Sequence, residues 1–249
     1  MSFPSLHLPL PKGAERWRRW TALPGAALAL AIDQVVRQEQ KLVVAITHDS
    51  HSAQQLESDL RALADPGLAV LHFPDWEVLP YDLFAPLPDI VSQRVGTLAQ
   101  LPATRSGVLV VPVATLMQRL PPTRYIGGQS LRMKRGDRLN LEFETRRLEQ
   151  SGYRRVTQVQ EPGDYAVRGG LLDLYPAGAE LPYRIELLDD EIDSLRSFDP
   201  ESQRSLQQVD RIELLPAREF PFDANAARRV REALRERFDL DVRRSALYQ

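Results

Sequence analysis

The feature that most constrains this chain is a change of hydrophobic rhythm near Pro121. Before it, stretches with apolar residues at helical spacing alternate with short unbroken apolar runs. Ala26 to Gln38 carries Leu28, Ile32, Val35 and Val36 at helical spacing, and Lys41 to Thr47 (KLVVAIT) follows as a buried strand. Ser52 to Ala64 is amphipathic through Leu56, Leu60 and Leu63 until Asp65, Pro66 and Gly67 stop it. Leu68 to Phe73 and Gly107 to Val111 read as further strands, Val91 to Leu101 and Val113 to Leu120 as helices. Such alternation predicts a parallel sheet covered on both faces.

Beyond Pro121 the period shortens. Thr123 to Gly136 is basic and glycine-containing, and Leu141 to Ser151 is a short helix with Phe143 and Leu148 available to pack. Tyr165 to Val167, Leu171 to Tyr175, Tyr183 to Leu188 and Ile192 to Phe198 are strand-like runs. They are separated by Pro162-Gly163-Asp164, Gly169-Gly170, Pro176 to Pro182 and Asp189-Asp190. Alternating apolar and polar residues around the acidic turn predict an antiparallel hairpin with one solvated face. Val209 to Leu215 reads as another strand and Ala224 to Phe238 as a basic amphipathic helix. The expected division is 1–120, 121–200 and 201–249, the last being the start of a further, truncated domain of a longer protein.

Composition narrows the chemistry. With no cysteine there are no disulfides, Cys-ligated zinc sites, iron–sulfur clusters or thiol nucleophiles. The longest apolar segment, Ala26 to Ile32, is too short for a membrane span, and the N-terminus lacks an export signal, so a cytoplasmic location is expected. The net charge of −2 predicts no general affinity for nucleic acid, yet its distribution is polar. Arg119 to Arg155 holds ten basic residues against four acidic ones, and Asp173 to Glu201 holds nine acidic residues against two arginines. Such polarity fits a solvated surface or a docking face for a charged partner.

A nucleotide-binding loop would sit at Leu23 to Ala29, between the N-terminal segment and the first helix. A loop of that kind needs glycines for close approach to phosphate, a lysine for the β- and γ-phosphates and a hydroxyl for Mg²⁺. Here Gly25 alone survives: Leu28 takes the lysine position and Ala29 the hydroxyl position, while Pro24 removes a backbone donor. By itself the segment is an ordinary helix start.

Longer strings carry a resemblance. Phe73-Pro74-Asp75-Trp76-Glu77 with Leu79-Pro80-Tyr81-Asp82, Gly107 to Pro112 with Thr115 to Arg119, Gly152-Tyr153-Arg154-Arg155-Val156, Gly163 to Pro176 and Asp189 to Asp199 resemble the N-terminal UvrB-like region of bacterial transcription-repair coupling factors (Mfd). The resemblance covers nearly the whole chain. It implies UvrB-like domains 1a, 2 and 1b: a helicase-like α/β domain whose parallel sheet carries a degenerate P-loop, an inserted α+β domain with an antiparallel sheet, and the start of a flanking domain. It also implies that the inserted domain docks on UvrA, that a C-terminal domain of the full protein masks this face, and that RNA polymerase, DNA, ATP and Mg²⁺ are engaged only by domains outside this chain. No enzymatic activity or cofactor is expected here. UvrB's damage-clamping hairpin has no counterpart, since Tyr81 to Asp89 runs almost directly into the helix at Val91.

The resemblance places UvrA-docking arginines at Arg155 and Arg168, with Ala166 replacing a third and Arg154 as a partial substitute. A guanidinium pairs bidentately with a carboxylate, which suits an interface anchor. The competing readings are an ordinary surface strand at these arginines, a divergent NTP-dependent DNA-binding enzyme, and salt-sensitive nucleic-acid binding through Arg119 to Arg155 and Arg228 to Arg237. Trp76, Tyr81 and Phe84 could stack on a base, although packing on their own domain is the simpler expectation. Among His7, His48, His51 and His72 the close pair beside Asp49 fits a strand-end turn with a helix cap at Ser50 or Ser52 better than a zinc site. Asp189-Asp190-Glu191 reads as a solvated turn and not as a magnesium site.

Overall fold

The computed structural model describes residues 9–11, 15–21, 23, 25–79, 83–128, 130–221 and 224–238. The chain divides into two compact units, Met1–Leu120 and Pro121–Gln249. The fold is mixed α/β, with a parallel sheet in the first unit and antiparallel sheets in the second.

The first unit contains α1 (Ala27–Glu39), β1 (Leu42–Thr47), α2 (Ser50–Leu63), β2 (Val70–His72), α3 (Pro88–Gln100), β3 (Gly107–Pro112) and the single turn α4 (Val113–Leu116). Its strands run parallel in the order β1-β3-β2. The most apolar run takes the centre: Val108 and Val110 are fully buried and meet Ala29, Ile32 and Val36 of α1 and Ala53, Leu56 and Leu60 of α2. Each such fully buried aliphatic side chain contributes about 1.5–3 kcal/mol. Asp49, not Ser50 or Ser52, caps α2, its carboxylate accepting the Ser52 N–H at 2.7 Å. The opposite side of β1 differs from the expectation of cover on both faces. Alternation turns Val44 and Ile46 away from α1 and α2, and they stay 47% and 56% exposed because α3 and α4 lie over β2 and β3.

The second unit contains α5 (Thr123–Gly128), β4 (Leu131–Lys134), α6 (Leu141–Gln150), β5 (Arg154–Arg155), β6 (Asp164–Arg168), β7 (Leu171–Leu174), β8 (Tyr183–Leu188), β9 (Glu191–Phe198), β10 (Ser205–Gln208), β11 (Arg211–Leu214) and α7 (Ala224–Phe238). Six strands form one sheet in the order β10-β9-β8-β7-β6-β5, antiparallel except where β5 joins β6 in parallel. β4 and β11 pair separately as an antiparallel ribbon.

Register decides which residues share a face of the large sheet, because directly paired residues project to the same side. Tyr165, Leu172, Leu174, Ile185, Ile192 and Leu195 point one way, into a core closed by Leu148 of α6 and by Met133, Ile212 and Leu214 of the ribbon. Leu148 packs as expected, whereas Phe143 is 58% exposed and lies under the Arg147 guanidinium. Two phenols enter this core with their hydroxyls satisfied. Tyr153 donates to the Leu215 carbonyl and Tyr165 to Glu149, each at 2.7 Å. Burial, reinforced by the Glu149 carboxylate, pushes Tyr165 up to about 12.

Candidate docking face

The other side of the large sheet carries charge. By the same register Arg154, Asp164 and Arg168, then Asp173 on β7, Arg184 and Glu186 on β8, and Ser194 and Arg196 on β9 all project to it. A small apolar cluster of Val159, Ala166 and Phe198 is set among them.

Asp173 organises the middle of this face. It sits in an otherwise apolar run, Leu171-Leu172-Asp173-Leu174, and its side chain is only 4% exposed. An ionised carboxylate so placed needs charged donors. Arg184 supplies them bidentately, Nε to Oδ1 at 2.8 Å and Nη2 to Oδ2 at 2.9 Å, and the Arg184 guanidinium stacks on Phe198 at 4.9 Å. Hydrogen bonding to Asp173 raises the Arg184 pKa above its ordinary value. Arg168 reaches the same carboxylate from β6, its Nη2 lying 3.6 Å from Oδ2 while 54% of its side chain remains in solvent.

The hairpin that presents Arg168 is tight. Arg168 pairs with Leu171 across the two residues Gly169-Gly170, and Gly169 has φ +60°, where a side chain would be strained. At the sheet edge Arg154 is held by Asp164, Nη2 to Oδ1 at 2.9 Å, and by Glu161 at 3.1 Å.

The three arginines singled out in the sequence are therefore not equivalent. Arg154 and Arg168 share the charged face. Arg155 is exposed but pairs with Tyr165, which places it on the α6 side of the edge strand, where its charge is felt by the Tyr165 phenol. Asp173, Arg184 and Arg196 were not anticipated. The available signal was the lone acid in the apolar strand Leu171 to Tyr175, whose partner could be found only once β7 and β8 were in register.

The remaining candidates fall elsewhere. Gly25 has φ +53° with open space around it, Leu28 is 40% exposed, and Ala29 is buried in the first core against α2 and β3. α1 begins without a side-chain cap, and Pro24 lies outside the described residues. Trp76 stacks on the fully buried guanidinium of Arg94, which Phe73 covers from its other side, each ring centroid 4.2 Å away. Phe84 is 80% exposed, and Tyr81 and His7 lie outside the described residues. His48 contacts Asp49 at 3.0 Å on the surface, whereas His72 is buried with Nδ1 2.6 Å from Glu57. Among the described residues no group of three or more His, Asp or Glu side chains is arranged to hold a metal, and no helix is long and apolar enough to cross a membrane. Asp189 and Asp190 form the two-residue turn between β8 and β9, Asp189 with φ +57°.

Residues 131–220, which contain the whole charged face, match the family model of the UvrB interaction domain. The second unit is thus similar to the UvrB interaction domain over most of its length. Along nearly its full length the chain is similar to transcription-repair-coupling factors, as its sequence motifs indicate. It is 45% identical over 240 residues to that of Escherichia coli, covering 96% of this chain and 21% of the relative. It is 46% identical over 222 residues to that of Haemophilus influenzae (89% and 19%) and 31% over 198 residues to that of Bacillus subtilis (80% and 17%). The chain thus spans about a fifth of the length of the curated relatives it matches.

Proposed function

We propose that this chain is a UvrB-mimicking recruitment module of a transcription-repair coupling factor, which binds UvrA and so brings nucleotide excision repair to stalled RNA polymerase. The observation that carries this reading is the half-exposed Arg168 at the tip of a tight two-residue hairpin, on the charged face of the segment that matches the UvrB interaction domain. Its guanidinium contacts Asp173 only at 3.6 Å, which leaves capacity for a bidentate pair with a carboxylate of UvrA. Arg154 supplements it on the same face and Arg155 from the edge. The segment Gly25 to Ala29 binds no nucleotide on this reading: Ala29 serves the core, and Leu28 offers no charge to a phosphate. Motor activity and contacts with RNA polymerase and DNA belong to other parts of the longer protein.

Calorimetric titration with purified UvrA, with and without ATP, tests the proposal. The wild-type chain binds, and the Arg155→Ala/Arg168→Ala double variant loses about 1–3 kcal/mol of binding free energy with its melting temperature unchanged. Undiminished binding by the double variant removes the site assignment. A rise in the chain's melting temperature on adding ATP would overturn the reading in favour of a divergent nucleotide-dependent enzyme.

A further inference from the structure

The charged face does not end at Arg184. We infer that Arg196 is a second anchor for UvrA, taking a separate carboxylate on the far side of the Arg168–Asp173–Arg184 group. This inference rests on the UvrA-docking reading and extends it across the sheet.

Arg196 lies directly opposite Arg184 in the β8–β9 register. Like charges in directly opposed strand positions repel, so such a pair persists only where something compensates it. Arg184 is compensated, because both oxygens of Asp173 are committed to it. Arg196 has no comparable partner among the described residues. Its ion pair is with Glu186, at 3.9 Å from Nη2 to Oε2, and that same oxygen already accepts the Ser194 hydroxyl at 2.6 Å. The Arg196 side chain is 45% exposed. A guanidinium with a long, shared ion pair and nearly half of its side chain in solvent is suited to a bidentate partner carboxylate.

The internal pairs satisfy Arg154 and Arg184, whereas Arg168 and Arg196 have only long ion pairs, at 3.6 and 3.9 Å, with about half of each side chain in solvent, so these two guanidinia are the ones placed to meet acidic groups of a partner. Register also sets their spacing. Arg168 lies three strands from Arg196 and two residues away along the strand, which separates their Cα atoms by roughly 16 Å. The UvrA surface that fits must present two acidic groups at a comparable separation.

Affinity of the chain for purified UvrA is measured for wild type, Arg196→Ala, Arg196→Lys, Arg168→Ala and the Arg168→Ala/Arg196→Ala double variant, with thermal melting of each. Arg196→Ala weakens binding about tenfold, Arg196→Lys falls between it and wild type, and all melt like wild type. Because the two anchors are well separated, the double variant shows the product of the single losses. Wild-type affinity of Arg196→Ala beside a weakened Arg168→Ala overturns the second anchor and leaves the docking face standing. A double variant no weaker than Arg168→Ala, or full affinity with lysine at this position, overturns it as well. Wild-type affinity of Arg168→Ala removes Arg168 from the site, and failure of the wild-type chain to bind UvrA removes the docking reading itself.

Discussion

The parallel sheet of the first unit and the six-stranded sheet of the second leave different kinds of surface facing water. In the first unit the exposed side of β1 shows Val44 and Ile46, about half accessible. In the second unit the exposed side of the large sheet shows a ladder of ion pairs, Arg154 to Asp164 and Arg168 and Arg184 to Asp173. An uncovered apolar face gains from any contact that excludes water. A face of internally paired charges is satisfied in solvent and discriminates between partners by charge. On the proposed docking reading, the first sheet serves as scaffold and the second selects the partner.

The largest expected loss lies in the apolar cluster set among the charges. Phe198 is fully buried with Val159 and Ala166, and Phe198→Ala lowers the stability of the second unit by about 3–5 kcal/mol, read as a denaturation midpoint. Asp173→Ala follows at about 2–4 kcal/mol, because Arg184, whose side chain is 18% exposed, loses its bidentate partner. A loss below about 0.5 kcal/mol would mean that the ladder is ornamental to stability.

The corresponding test in the first unit is smaller and depends on pH. Burial works against the charge of Glu57, but hydrogen bonds from His72 and Arg61 outweigh it and hold this carboxyl below its ordinary range. A depressed carboxyl contributes stability that is present above its unfolded pKa and lost as pH falls through the folded one. Glu57→Gln therefore costs about 1–2 kcal/mol at neutral pH, and the difference from wild type shrinks as pH falls below the ordinary glutamate range and through the lowered folded value. A gap that is constant down to acid pH would refute the coupling. Smallest of all is Ile46→Thr on the uncovered face, expected within about 0.5 kcal/mol of wild type in thermal melting. A large loss there would show that this face is covered after all.

Much of this architecture was legible in the sequence because it is local. The alternation before Pro121, the strands around Gly169-Gly170 and Asp189-Asp190, and the helix Ala224–Phe238 are written in periodicity and turn residues. What escaped depends on pairing between distant segments. β4 carries Arg132 and Lys134 and reads as polar until pairing with β11 turns Met133 and Ile212 together into the core. The charged face escaped for the same reason, because neither the sharing of Asp173 by Arg168 and Arg184 nor the separation of Arg155 from Arg168 follows from position along the chain. Both follow from strand register. At Gly25 to Ala29 the residue types are legible directly, while the commitment of Ala29 to the core required the fold.

The tight turn at Gly169-Gly170 has a thermodynamic corollary. Because Arg168 is presented by a hairpin already closed in register, a partner meeting it orders side chains and not backbone. Association through this tip should therefore show a small heat-capacity change and no gain of secondary structure, unlike the coupled folding by which flexible segments bind.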